Sequence, residues 1–82
     1  MKIIAGNWKM NGTRNALTEM VAKLQNVDTQ NTIILCVPYT MLGLTTGRVA
    51  LGAQDVSAHT HGAYTGEVSG QMIADTGAKY VI

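Results

Sequence analysis

Charge is what this sequence has least of. Only 13 % of its 82 residues are Asp, Glu, Lys or Arg, against about 25 % in an ordinary soluble domain. Six Lys and Arg meet five Asp and Glu, for a net charge of +1. That leaves no basic face for nucleic acid and no acidic tail. A surface so short of charge suggests that other protein covers part of it. A single cysteine, Cys36, excludes an internal disulfide framework. It lies in the apolar run TIILCVP and reads as a small buried side chain of a reducing cytoplasm, with no neighbour in sequence to activate it as a nucleophile. No apolar run approaches the roughly 20 residues of a membrane helix. Polar NWKMNG follows MKII at once, so neither a membrane span nor a signal peptide is expected. There is one proline and no Pro-rich, Ser-rich or low-complexity stretch. Residues 1–82 therefore read as a single unit with no internal boundary.

What is present is alternation. Residues 2–6 are β-branched and apolar, a short strand. From Thr13 a helix begins, capped by Asn11 or Thr13. Leu17, Met20, Val21 and Leu24 fall at i, i+3, i+4 and i+7 on one stripe, with Arg14, Glu19 and Lys23 off it. Polar NVDTQN ends that helix. TIILCVP is almost continuously apolar, the pattern of a strand buried on both faces in a parallel sheet, and Pro38 ends it. YTMLGLTTGRV is a helix candidate that Gly43 and Gly47 count against. Residues 49–56 form a third strand. A long polar stretch follows, then a short helix over 69–76 with Met72 and Ile73 as its buried side and Gly77 just past its end. AKYVI opens a fourth strand. Strand, helix, strand, helix, strand, helix, strand is the signature of βαβ units on a parallel sheet, an α/β fold. The apolar ending at Val81 and Ile82 suggests the N-terminal portion of a longer α/β protein, because domains seldom stop inside a strand.

NWKMNG holds the first chemical signal. Side chains alternate along a strand. Continued past the strand, alternation puts Ile3, Ala5, Asn7 and Lys9 on one face, and Ile4, Gly6, Trp8 and Met10 on the other. Trp8 and Met10 would then pack against helices. Parallel α/β sheets bind ligands at the carboxyl ends of their strands, where Asn7 and Lys9 lie. An ammonium beside an amide suits a small anion, a phosphate or a developing oxyanion. The residue types also fit a lysine that snorkels outward with its stem on Trp8. Two more residues, Gln54 and Asp55, end the third strand at the same rim. Gln54 reads as a structural hydrogen-bonding group. Asp55 has no second carboxylate nearby in sequence.

GNWKMNG after a strand, followed in order by GAQDV, GAYTGEVS and MIADTGAKYVI, resembles the triosephosphate isomerase family. The likeness runs from Lys2 to Ile82 and is least distinctive between Asn15 and Leu51. It implies a partial (β/α)8 TIM barrel, its first three βα units and fourth strand. It implies interconversion of dihydroxyacetone phosphate and glyceraldehyde 3-phosphate in glycolysis and gluconeogenesis, without a cofactor. Asn7 and Lys9 would then contact the triose phosphate substrate, with Lys9 the catalytic residue that steadies negative charge on its oxygens. The family's acid–base pair, a histidine after the fourth strand and a glutamate later still, would lie beyond Ile82. His59 and His61 cannot replace that histidine, since the resemblance places them in the third loop. A chain of this length would lack its general base and be inactive. The alternative is a small-anion-binding or dimer-interface fragment without catalysis.

The third loop, HTHGAYTGEVS, is the second signal. His59 and His61 would share a face if extended, as a metal pair does. Two ligands are too few for a tight site and no third is in view, so no metal is expected. A loop this long is more often functional than idle. The resemblance implies that it inserts into a partner subunit of a homodimer, making Tyr64, Thr65, Glu67 and Val68 interface contacts. Glu19, Asp28, Glu67 and Asp75 read as surface or helix-end charges. The methionines, most clearly Met20 and Met72, read as packing residues.

Overall fold

The computed structural model describes all residues, 1–82. Four strands form one parallel sheet in chain order, β1 (Ile3–Asn7), β2 (Thr32–Cys36), β3 (Ala50–Ala53) and β4 (Tyr80–Val81). Two helices intervene, α1 (Arg14–Leu24) and α2 (Gly70–Asp75). Between β2 and β3 the chain makes only a single 3₁₀ turn, Tyr39–Met41.

α1 starts where its cap dictates. Thr13 is extended, and its hydroxyl accepts a hydrogen bond from the Ala16 amide at 3.1 Å. This satisfies one of the donors that a helix start leaves orphaned. Ser69 caps α2 in the same way through the Met72 amide, at 3.2 Å. Gly77 follows with φ +95°, the left-handed exit that glycine makes without strain.

Register decides what each face buries. Ile4 pairs with Ile33 and Gly6 with Leu35. Leu35 pairs in turn with Leu51. On this side Ile33, Leu35, Val37, Val49 and Leu51 pack with Leu17 and Val21 of α1 into the main core, and Trp8 leans against it. A smaller cluster of Ala53, Ile73 and Ala78 seats α2. Ile34 and Cys36 alternate to the opposite face, yet both are buried. β2 is thus covered on both sides, as its unbroken apolar run requires.

Several expectations need correction. The helix expected over 39–49 does not form. Leu42 is extended, and Gly43 and Gly47 take φ of +89° and +60°, so the backbone leaves the helical region twice within five residues. β3 covers 50–53 rather than 49–56, because only those residues find partners. Met10 does not pack against helices. It is 95 % exposed, because strand alternation ends at Asn7 and the chain turns before reaching it. Met20 and Met72 are also exposed, Met72 to 55 %. Met20 lies beyond the part of the α1 stripe that reaches the sheet. Six-residue α2 buries Ile73 alone. Ile3 and Ile4 are exposed as well, since β1 forms one edge of the sheet. No helix is long and apolar enough to cross a membrane.

Candidate active site at the strand ends

The C-terminal ends of β1, β2 and β3 lie side by side. Asn7 pairs with Cys36, and Cys36 with Gly52. All three share the face turned away from α1. Gly52 is a glycine for reasons of space. A Cβ there would lie 3.0 Å from the Cys36 sulfur and 3.1 Å from the Tyr80 carbonyl oxygen. Burial pushes the Cys36 thiol pKa up, so the group stays neutral.

The loop after β1 is built residue by residue. The Trp8 amide extends the ladder by donating to the Cys36 carbonyl at 3.0 Å. Asn7 then turns its side chain onto its own backbone, and Oδ1 accepts from the Lys9 amide at 2.8 Å. Lys9 itself takes φ +56°, the only residue other than glycine with positive φ. A lysine gains nothing intrinsic from that conformation, so its surroundings must hold it. Two groups do. One is the Asn7 oxygen. The other is Gln54, whose Nε2 donates to the Lys9 carbonyl and to the Cys36 carbonyl, both at 2.9 Å. Asn11 closes the turn by donating to the Trp8 carbonyl at 3.0 Å. Gly12 lets the chain pass the indole: its φ is +102°, and a Cβ would come within 2.5 Å of the Trp8 ring.

Asn7 and Lys9 are therefore joined by a hydrogen bond, not by strand alternation, which stops at Asn7. Both are exposed at the rim. Gln54 is the structural residue its position suggested, and its partners are now identified. A hollow of about 190 Å³ between Pro38, Tyr39, Gln54 and Asp55 lies against that amide. The Tyr39 phenol is raised in pKa by burial first, then by the negative charges of Asp55 and Glu67. Tyr39 carries no signal of its own in the sequence, because its charged neighbours come from 16 and 28 positions along the chain.

The third loop folds back on itself. The Ser57 amide donates to the Val68 carbonyl at 2.8 Å, and the Ser57 hydroxyl to Glu67 at 3.1 Å. Tyr64 and Glu67 are exposed and Val68 is half-buried. His59 and His61 do not converge with other ligands: no cluster of three or more His, Cys, Asp or Glu could hold a metal ion.

A family model described as triosephosphate isomerase matches residues 2–82. The triosephosphate isomerase of Halorhodospira halophila is 44 % identical over 85 residues, covering 99 % of this chain and 34 % of its own length. That of Gloeothece citriformis is 45 % identical over 89 residues, covering 98 % of this chain and 37 % of its own. The crystal structure of triosephosphate isomerase from Bartonella henselae superposes with a TM-score of 0.83 at 37 % identity. It covers 96 % of this chain and 35 % of that one. The four parallel strands thus form a half-barrel, and the chain spans about a third of the length of the relatives it matches. With a family model matched from residue 2 to residue 82, the chain belongs to the triosephosphate isomerase family.

Proposed function

We propose that this chain supplies the substrate-holding end of a triosephosphate isomerase barrel, with Asn7 and Lys9 as the groups that meet the triose phosphate. One observation carries the reading. Lys9 is held in a left-handed conformation by Asn7 on one side and Gln54 on the other. Strain of this kind persists where surrounding structure over-determines it and concentrates at functional sites. Lys9 then acts as a fixed positive charge toward the phosphate-bearing substrate and the oxygens that become negative as a proton leaves carbon. The acid–base pair implied by the family resemblance lies outside these 82 residues. Residues 1–82 contribute binding and electrostatics and not proton transfer. They form the first part of one barrel domain, and the reaction sits in cytoplasmic glycolysis and gluconeogenesis. Tyr64, Thr65, Glu67 and Val68 make the contacts of a homodimer through the third loop.

The test is a chimaera in which residues 1–82 replace the matching third of a barrel-length relative. It should interconvert the two triose phosphates. Lys9→Ala should lower kcat by about 10²–10³-fold, the loss typical of removing one preorganised charge-stabilising group. Its stability should change by no more than about 0.5 kcal/mol, as for other exposed side chains. Lys9→Arg should also fail, because a planar guanidinium does not occupy the place of a compact ammonium. A folded chimaera without activity, or equal losses of activity and stability in Lys9→Ala, overturns the assignment.

A further inference from the structure

The third loop has an internal order of its own. Its base is closed by the two Ser57 hydrogen bonds already described, and the same hydroxyl accepts from the His59 amide at 3.0 Å. Inside that closure sits a second one. The rings of His59 and Tyr64 stack, with centroids 3.7 Å apart and planes 1° from parallel. The Glu67 amide donates to the Tyr64 carbonyl at 3.0 Å, which ties the stack to the base. Gly62 brings the intervening chain against the phenol. Its φ is +131°, and a Cβ there would lie 2.9 Å from the Tyr64 ring. Thr60 and His61 bond to each other at 3.1 Å. All of these partners lie within residues 57–68.

This pair of rings lies outside the hydrophobic core. His59 is exposed and Tyr64 is 47 % exposed, so the stack does not follow from core packing. A long polar loop left loose would lose conformational freedom on docking, and that loss would subtract from its affinity. We propose that the His59–Tyr64 stack is a clip that sets the third loop beforehand in the shape in which it meets the second subunit of the reading above. The partner rests on the subunit-contact reading above; the clip rests on the ring geometry alone. Tyr64 is the anchor that meets the partner, and His59 is a positioning residue that acts through it.

Proton NMR and sedimentation of the barrel-length chimaera described above test the two parts separately. Tyr64 ring signals should be displaced upfield, with cross-relaxation to the His59 ring. His59→Ala should return them to free-tyrosine positions and weaken self-association about two- to tenfold, the range expected for one aromatic pair. His59→Phe, which keeps a ring, should restore both. Tyr64 signals at free-tyrosine positions in the unsubstituted chain overturn the clip, whatever the mass. Displaced signals in a chain that stays monomeric overturn the subunit-contact reading and support the clip. Self-association that His59→Ala leaves unchanged overturns the link between them.

Discussion

Gln54 offers the sharpest test of how the rim is assembled. Replacing it with leucine keeps the bulk of the side chain and removes both donors. Two hydrogen bonds disappear, to the carbonyls of Lys9 and Cys36. Each is worth about 0.5–1.5 kcal/mol net, so the ceiling is about 3 kcal/mol. The surroundings lower it. The Cys36 carbonyl still accepts from the Trp8 amide, so no buried acceptor is orphaned. Lys9 is exposed, so water replaces the amide at its carbonyl. The expected loss is therefore about 1–2 kcal/mol, near the lower half of the range for two bonds. At about 4–8 °C per kcal/mol for a domain of this size, the midpoint should fall by roughly 5–15 °C. Gln54→Glu should be worse than leucine, because an ionised carboxylate can only accept and would face two carbonyl oxygens. Urea unfolding followed by the fluorescence of Trp8, the only tryptophan, reads the loss. Amide exchange at Lys9 reads the loop directly. Leucine within about 0.5 kcal/mol of the native residue, the usual range for an unengaged surface position, with unchanged exchange at Lys9, would refute the account of how this turn is held.

Two further outcomes follow from the geometry. Gly12→Ala should cost about 2–4 kcal/mol, combining a left-handed backbone with overpacking against the indole, and should shift Trp8 emission; a silent substitution would mean the indole does not lie under Gly12. Stability should also fall at alkaline pH. The Cys36 thiol has a raised pKa in the folded chain, so the unfolded state releases its proton first and binds fewer protons. The stabilisation is present below the unfolded thiol pKa and is lost as pH rises through the folded one. Tyr39, also raised, contributes in the same direction at higher pH. Calorimetry from neutral pH to about pH 10, the ordinary range of these groups, should show a decline that Cys36→Ala makes shallower; an identical decline in that variant would remove the thiol from the explanation.

The four strands and the first and last helices were legible because each follows a local rule, whereas the helix expected over 39–49 does not form. An apolar run of strand length, the stripe at Leu17 and Val21, and hydroxyls at Thr13 and Ser69 all act within one or two turns of chain. The opposite orientations of Asn7 and Trp8 were legible for the same reason, since Trp8 packs on the α1 side while Asn7 pairs with Cys36 on the other face. The methionines misled. Spacing names the residues on a stripe, but how much of the stripe meets the sheet depends on helix length and on what else packs there. Met20 and Met72 fall outside the covered parts.

The amino-acid sequence by itself determined the order of the four parallel strands, the apolar stripe of the first helix, the placing of NWK at a strand end and the likeness to an isomerase family. These depend on periods of two and 3.6 residues and on a short motif, all of which survive without knowledge of neighbours. Only the tertiary structure decided that Lys9 turns left-handed, that Gln54 reaches it across 45 positions of chain, and that His59 stacks on Tyr64. The physical reason is that a hydrogen bond or a ring stack needs two groups within a few ångströms. For Lys9 and Gln54, that proximity exists only once β1, β2 and β3 lie side by side.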